Sequence, residues 1–159
     1  MRVYNDFVIL ARDVSVDSQD KMLSIFKIVD KFNFSLDPDN YKKFLEEIKD
    51  KTASLPAHFV TSSSWSLDSP TKNDLRAILE SKIVDPTGKE LGRSRNEMVF
   101  IAGSDRVRLN GVIEAVPVTS NGRYKIELSV LDLKTGKILC SGSTSYQVSV
   151  DEDDAKEVT

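Results

Sequence analysis

Apolar and polar residues alternate along most of the chain, and this period of two predicts β-strands. The alternation is clearest near the C-terminus, on both sides of a turn at Lys134-Thr135-Gly136. The apolar residues of this hairpin fall at even positions, and we predict that they share one buried face: Tyr124, Ile126, Leu128, Val130, Ile138, Tyr146 and Val148. Because a slip of one residue would turn the whole set outward, the register of the hairpin must be strongly specified.

The densest apolar run in the chain covers residues 21–30. Its β-branched and aromatic side chains lie on both sides of the alternation, which is typical of a strand covered on more than one face. We therefore predict a central strand here, paired as an antiparallel hairpin with a first strand at residues 6–13. Turn residues at 85–88 and at Gly103-Ser104 predict two more hairpins, the second of which joins strands at 89–101 and 106–116.

The period changes from two to that of a helix at residues 37–51. Asp37 is a good N-cap, Pro38 suits the first turn, and four apolar residues then share one stripe: Tyr41, Phe44, Leu45 and Ile48. Such a stripe is typical of a helix that packs on a core, and we predict that it covers an open end or edge of the sheet. A helix that binds a partner is the alternative.

Seven to eight short strands with one inserted amphipathic helix predict a mostly-β chain, folded as an antiparallel β-sandwich. A distorted barrel is the alternative. The strands follow one another without a linker, so we predict a single domain over residues 1–150. The acidic residues after Val150 predict a flexible tail at 151–159.

Four segments of the chain resemble a family of small uncharacterised β-sandwich proteins from bacteria, archaea and phages. They are Arg12-Asp13-Val14, Lys-Met-Leu-Ser-Ile-Phe-Lys-Ile-Val-Asp at 21–30, Leu55-Pro56-Ala57, and Val-Asp-Pro-Thr-Gly at 84–88. The chain departs from the family pattern at Asp20 and Lys27, where the family usually shows Gly, and in its inserted helix. The resemblance implies an immunoglobulin-like or C2-like sandwich, but it implies no activity, because fold alone does not set function.

The charge and cysteine content exclude several classes of protein. A net charge of -3, from 22 basic and 25 acidic residues, creates no global field that would attract DNA, so we expect no nucleic-acid partner. Cys140 is the only cysteine, and the N-terminal residues lack the apolar core of a signal peptide, which together predict a cytoplasmic protein. No run approaches the ~20 apolar residues that span a bilayer, so we expect no membrane insertion.

Few residues could support catalysis or bind a metal. With His58 as the only histidine and Cys140 as a buried structural thiol, neither a hydrolase triad nor a zinc site is predicted. Phosphate-binding glycine motifs are absent, and we expect no cofactor. The one candidate metal site is a calcium site at Asp13, Asp17 and Asp20, around the turn of the first hairpin. Since Asp is also a favoured turn residue, a turn without metal is the alternative.

Arginines are concentrated in the two strands that flank Gly103-Ser104. If these strands pair so that Met98 faces Leu109 on the inner side, the opposite parity points outward. Four arginines would then share one outer face and form a candidate binding face: Arg93, Arg95, Arg106 and Arg108. Guanidinium groups suit carboxylate or phosphate partners, whereas a solvated strand face with Arg93 paired to Glu114 is the alternative.

From these features we predict a non-catalytic binding or accessory module. It would act through contacts with another protein or with a second copy of itself. The alternatives are an enzyme with a carboxylate site on its loops and a C2-like domain that binds calcium or another ligand. Two or more carboxylates with perturbed pKa values in a concave pocket would favour the enzyme.

Overall fold

A computed structural model describes residues 2–16 and 22–153. These residues form nine strands and one helix, and the strands are divided between two sheets. The strands are β1 (Val3–Val16), β2 (Leu23–Ile28), β3 (Lys31–Leu36), β4 (Ala53–Leu67), β5 (Leu75–Val84), β6 (Glu90–Phe100), β7 (Arg106–Val118), β8 (Gly122–Asp132) and β9 (Ile138–Glu152), and the helix is α1 (Pro38–Asp50). The first sheet has the order β2-β1-β4-β7, and the second has the order β3-β9-β8-β5-β6. The mostly-β sandwich predicted from the sequence is confirmed.

The core lies between the two sheets and is rich in aromatic side chains. Trp65 and Phe59 enter it from the first sheet, and Tyr124 and Tyr146 enter it from the second. The two tyrosine rings stack with their centroids 5.6 Å apart, an arrangement that adds to the gain from burying their area. Large side chains from both sheets therefore pack together between them.

The even-numbered apolar residues of the C-terminal hairpin are buried as predicted, with one exception. Ile138 is exposed. The register shifts between Val130 and Leu131, so that Leu131 pairs with Ile138 on the far side of an irregularity. Since one extra residue reverses the parity of a strand, Ile138 leaves the inner face while the rest of the set stays on it. β9 continues through Asp151 and Glu152, so these two residues of the predicted tail are strand, and residues 154–159 lie outside the described part.

The prediction of a central strand at residues 21–30 is wrong. Among the described residues β2 pairs with β1 alone, so it is the edge strand of the first sheet, and its Phe26 and Ile28 are exposed. The chain then crosses to the second sheet, where β3 runs parallel to β9. Val29 is buried at this crossing, and Lys27 before it takes a positive φ of 54°. Apolar residues occur on both sides of the alternation because the chain changes sheet within this region, and not because one strand is buried on both faces. The same change divides the region between β2 and β3, so the chain has more strands than predicted.

The predicted helix is confirmed as α1. Asp37 accepts a hydrogen bond from the backbone N–H of Asn40 at 2.9 Å and caps the first turn. Phe44 is buried in the core, while Tyr41 and Ile48 pack against it from the same stripe. The helix contacts β3, β4 and β9, so it covers one end of the sandwich as predicted. Within the described ranges, no helix is long and apolar enough to cross a membrane.

The connection through Gly103-Ser104 does not close a hairpin, and that prediction is wrong. β6 pairs with β5 in the second sheet, whereas β7 pairs with β4 in the first. Gly103, with a φ of 82°, lies where the chain passes from one sheet to the other. By contrast, the turn at 85–88 joins β5 to β6 as predicted, and Gly88 takes the positive φ of 89° that such a turn requires.

Candidate functional site

A cleft opens between the two sheets where β6 and β7 form their edges. Among the described residues, each of these strands is paired on one side only, and they belong to different sheets. Near their connection, Met98 and Phe100 of β6 are buried between the sheets. Further along the same strand, Ser94 and Asn96 have the same inward parity but are exposed. The sheets therefore separate along the middle of this seam and leave the inter-sheet space accessible.

The cleft has a volume of about 290 Å³, which is at the small end of the range of ~300–1,000 Å³ for sites that bind small molecules. Its lining combines aliphatic side chains with hydroxyl and amide groups. The aliphatic residues are Leu79, Leu109, Val112, Ile113 and Leu128, and the polar ones are Thr61, Ser63, Ser81, Ser94, Asn96 and Asn110. A site of this size and character suits one or two uncharged groups of a partner.

Small residues on β4 create the space for the cleft. Between the large Phe59 and Trp65, the inward positions of β4 are Thr61 and Ser63. The Ser63 hydroxyl accepts a hydrogen bond from Trp65 Nε1 at 3.1 Å, and Thr61 Oγ1 donates to the carbonyl oxygen of Gly111 on β7 at 3.2 Å. These bonds hold the two hydroxyls against the wall, so the volume in front of them stays open.

The cleft is close to neutral. Of the described residues that line it, Glu97 alone carries a charge, and it belongs to the outward parity of β6. Its carboxylate lies 3.1 Å from Arg76 Nη1, and both side chains are largely exposed to solvent. The lining holds no histidine or cysteine and no pair of carboxylates, and in the described part of the chain no group of three His, Cys, Asp or Glu residues is arranged to hold a metal ion. The chemistry that it offers is hydrogen bonding and apolar contact.

The four arginines predicted to form one binding face lie on two different sheets. Arg93 and Arg95 are on β6 in the second sheet, while Arg106 and Arg108 are on β7 in the first. The predicted inward parity of Met98 and Leu109 is right, but the two residues reach the interior from opposite sheets. The arginines therefore point to opposite outer faces of the sandwich. Partner binding by any of them stays a prediction.

Acidic neighbours engage at least three of these arginines. Arg93 lies 2.7 Å from Glu90 and not beside Glu114, which instead contacts His58 Nδ1 at 3.3 Å. Arg106 Nε lies 3.4 Å from Asp6. Burial raises the pKa of Asp6, but hydrogen bonds from Ser66 and Ser64 and the positive charges of Arg106 and Arg108 outweigh it and lower the pKa below its ordinary value. The first-sheet pair of arginines thus stabilises a carboxylate at the β1 irregularity.

Glu80 is a buried carboxylate that sequence reasoning missed. It lies on the outer face of the second sheet and is only 4% exposed. Its Oε2 accepts hydrogen bonds from Arg95 Nε at 2.7 Å and Arg93 Nη1 at 3.2 Å, and Lys82 Nζ lies 3.2 Å from Oε1. The signal was present, because the turn at 85–88 sets β5 beside β6 with Glu80 opposite Arg95. We interpret this cluster as structural, since all of its charges are engaged with one another.

The candidate calcium site is only partly described. Asp13 lies on β1, where its carboxylate accepts a hydrogen bond from the backbone N–H of Val14 at 2.8 Å. Asp17 and Asp20 lie outside the described residues, so the site stays a prediction. Cys140 is half-buried against the core. His58 lies in the irregular part of β4, away from the residues that line the cleft.

Comparisons with known proteins give low similarities. No protein-family model matches the chain, and no curated protein matches it. Similar solved structures include a Bacteroides uniformis β-glucuronidase bound covalently to cyclophellitol-6-carboxylate aziridine, with 16% identity and a TM-score of 0.48 over 60% of this chain and 12% of that one. A Pseudomonas fluorescens alkylpurine DNA glycosylase bound to DNA with an abasic site analogue has 13% identity and a TM-score of 0.43 over 89% and 30%. An immunoglobulin-like protein from Pseudomonas aeruginosa has 14% identity and a TM-score of 0.36 over 94% and 98%.

The chain spans only a small part of the first two proteins. At these identities and scores, the two similarities carry no information about the activity of this chain. The two sheets and their strand order define the β-sandwich architecture.

Proposed function

We propose that this chain is a non-catalytic binding module that holds an uncharged part of a partner protein in the cleft between β6 and β7. The observation that carries the proposal is the lining of the cleft, where hydroxyl and amide groups stand among aliphatic side chains in a space that a sandwich normally fills with apolar residues. An aliphatic side chain next to a backbone amide has the matching chemistry. Such a group would fill the apolar part of the cleft and exchange hydrogen bonds with its polar wall.

The chemistry of the cleft favours binding over catalysis. General acid–base catalysis requires a group that gains and loses a proton near neutral pH, and nucleophilic catalysis requires a base beside the nucleophile. The serine and threonine hydroxyls of the cleft have no histidine, lysine or paired carboxylate beside them among the lining residues. The carboxylates whose pKa is lowered, such as Glu80 and Asp85, lie outside the lining.

Nuclear magnetic resonance of the isotope-labelled chain would test the proposal, with N-acetyl-leucine N-methylamide as the probe. This molecule carries one aliphatic side chain between two amides. We expect millimolar probe to shift the backbone amide signals of lining residues such as Ser94, Leu109 and Gly111. Shifts confined to other surfaces, or none at any concentration that dissolves, would refute a binding site in the cleft.

A matched pair of variants locates the binding. Ser94→Phe places a large ring in the mouth of the cleft, at an exposed position where it need not disturb the core. Ser54→Phe makes the same change at an exposed strand serine that does not line the cleft. We expect the probe-induced shifts to disappear in Ser94→Phe and to persist in Ser54→Phe. Thermal unfolding of both variants would show that the fold is intact.

A further inference from the structure

The two edge strands beside the cleft differ in how they are protected against pairing with another strand. A free edge presents unpaired backbone N–H and C=O groups, and proteins commonly place charged residues there to prevent association. β6 follows this pattern, with Arg93, Arg95 and Glu97 along its exposed middle. β7 does not, because residues 109–113 carry no charge and Val112 is 61% exposed. The uncharged stretch of β7 is therefore a receptive edge.

The order of residues around this stretch is self-complementary. Consider an antiparallel pair of identical strands related by a two-fold axis at Gly111. Each residue then faces the residue that lies equally far from Gly111 on the other side of it in the sequence. Leu109 then faces Ile113 and Asn110 faces Val112. At the ends of the stretch Arg108 faces Glu114, and the symmetry forms this opposite-charge pair twice.

We propose that β7 pairs antiparallel with β7 of a second copy of this chain, in the register centred on Gly111. The two first sheets then join into one continuous sheet across the dimer.

The residue on the symmetry axis suits this pairing. Facing Cα atoms of antiparallel strands lie ~4.5–5.5 Å apart, and a residue without a side chain on the axis lets the two backbones meet there with no side-chain contact to accommodate. Gly111 has no side chain there, and glycine inside a strand often marks the close approach of another backbone. The same glycine also leaves room for Thr61, because a Cβ at this position would lie 2.9 Å from Thr61 Oγ1. Gly111 therefore makes room for Thr61 on one side of β7 and for the backbone of a second β7 on the other.

The charged residues at the ends of the stretch can reach a partner. The Glu114 side chain is 75% exposed, and its contact with His58 is a 3.3 Å approach between two solvated groups. Arg108 is exposed and contributes to the field around Asp6. A pairing that uses one edge strand buries little area, so we expect a weak and concentration-dependent dimer.

Sedimentation equilibrium over a wide concentration range would test the proposal. We expect reversible association of the unaltered chain to a dimer, and weaker association in high salt because the Arg108–Glu114 pairs are solvent-exposed. Arg108→Glu and Glu114→Arg each place like charges opposite one another and should raise the dissociation constant by about tenfold. The double variant restores opposite charges in the reversed order, and its dissociation constant should return to within about threefold of the original.

Two further variants distinguish the loss of the Arg108–Glu114 pair from damage to the fold. Arg108→Gln removes the charge without adding repulsion beside Asp6, and it should weaken the dimer less than Arg108→Glu does. Arg76→Glu reverses an exposed arginine on the second sheet and should leave the dissociation constant unchanged. Three results would overturn the proposal: a chain that stays monomeric at all concentrations, a dimer that is indifferent to Arg108→Glu and Glu114→Arg, or a double variant as weak as the single ones.

Discussion

Replacing Glu80 by Gln tests whether a buried carboxylate on a sheet surface stabilises the fold through its cations. The substitution keeps the size of the side chain but removes the charge that Arg95, Arg93 and Lys82 surround. A hydrogen bond to a charged group contributes roughly 1.5–3 kcal/mol when it is well shielded from water. Here the side chains of the cations are 58%, 41% and 25% exposed and regain water when the carboxylate is lost, which reduces the effect. We therefore expect Glu80→Gln to lower the free energy of unfolding by about 1–2 kcal/mol.

The stability lost in Glu80→Gln should depend on pH, and the direction follows from the pKa of Glu80. Burial raises the pKa of Glu80, but the hydrogen bonds from Arg95 and Lys82 and the charges of Lys82 and Arg93 outweigh it, so the pKa lies below its ordinary value of 4.5. A carboxylate with a lowered pKa stabilises the fold above its unfolded pKa and loses this contribution as the pH falls through its folded pKa. The difference between the original chain and Glu80→Gln should be complete at neutral pH and shrink at pH values below 4.5.

Urea denaturation at a series of pH values would measure both quantities. Glu97→Gln is the matched control, because Glu97 lies on the same outer face and its side chain is 49% exposed beside Arg76. We expect Glu97→Gln to lower the free energy of unfolding by less than about 0.5 kcal/mol. Equal losses for the two variants would refute the reasoning, and so would a Glu80→Gln deficit that is as large in acid as at neutral pH.

Five further substitutions test packing and buried hydrogen bonds by urea denaturation at neutral pH. Tyr146 has a buried hydroxyl without a hydrogen-bond partner among the described residues, so Tyr146→Phe should leave the free energy of unfolding unchanged or raise it; a loss would contradict this. The Tyr124 hydroxyl accepts from the backbone N–H groups of two residues in the β7–β8 connection and donates to one carbonyl, so Tyr124→Phe should cost about 1–3 kcal/mol. Phe44→Ala should cost about 3–5 kcal/mol because its ring anchors α1, whereas Leu45→Ala on the exposed part of the stripe should cost much less; similar costs would refute this view of the helix. Asp85→Ala should cost about 1–3 kcal/mol, because the carboxylate accepts two backbone N–H groups in the β5–β6 turn, and a neutral effect would show that solvent replaces them.

Properties that depend on neighbouring residues in the chain could be predicted from the sequence. The helix with its cap at Asp37, the turns at 85–88 and 134–136, and the buried face of the C-terminal hairpin all follow from local preference and from periods of 3.6 or two. The inward orientation of Met98 and Leu109 could also be predicted from the local sequence pattern. Alternation states which way a side chain points relative to its own strand, and this part of the prediction is right.

The pairing of strands that are separated by a connection was decided by the tertiary structure alone. The alternation around Gly103-Ser104 is the same whether the two strands close a hairpin or belong to opposite sheets, so the sequence pattern does not distinguish these arrangements. The choice between them separated the four arginines and created the cleft between β6 and β7. Ser63 of β4 lies between the sheets and is buried. A hydroxyl is tolerated there because Trp65 supplies its hydrogen bond, and this contact exists only once the strand has its neighbours.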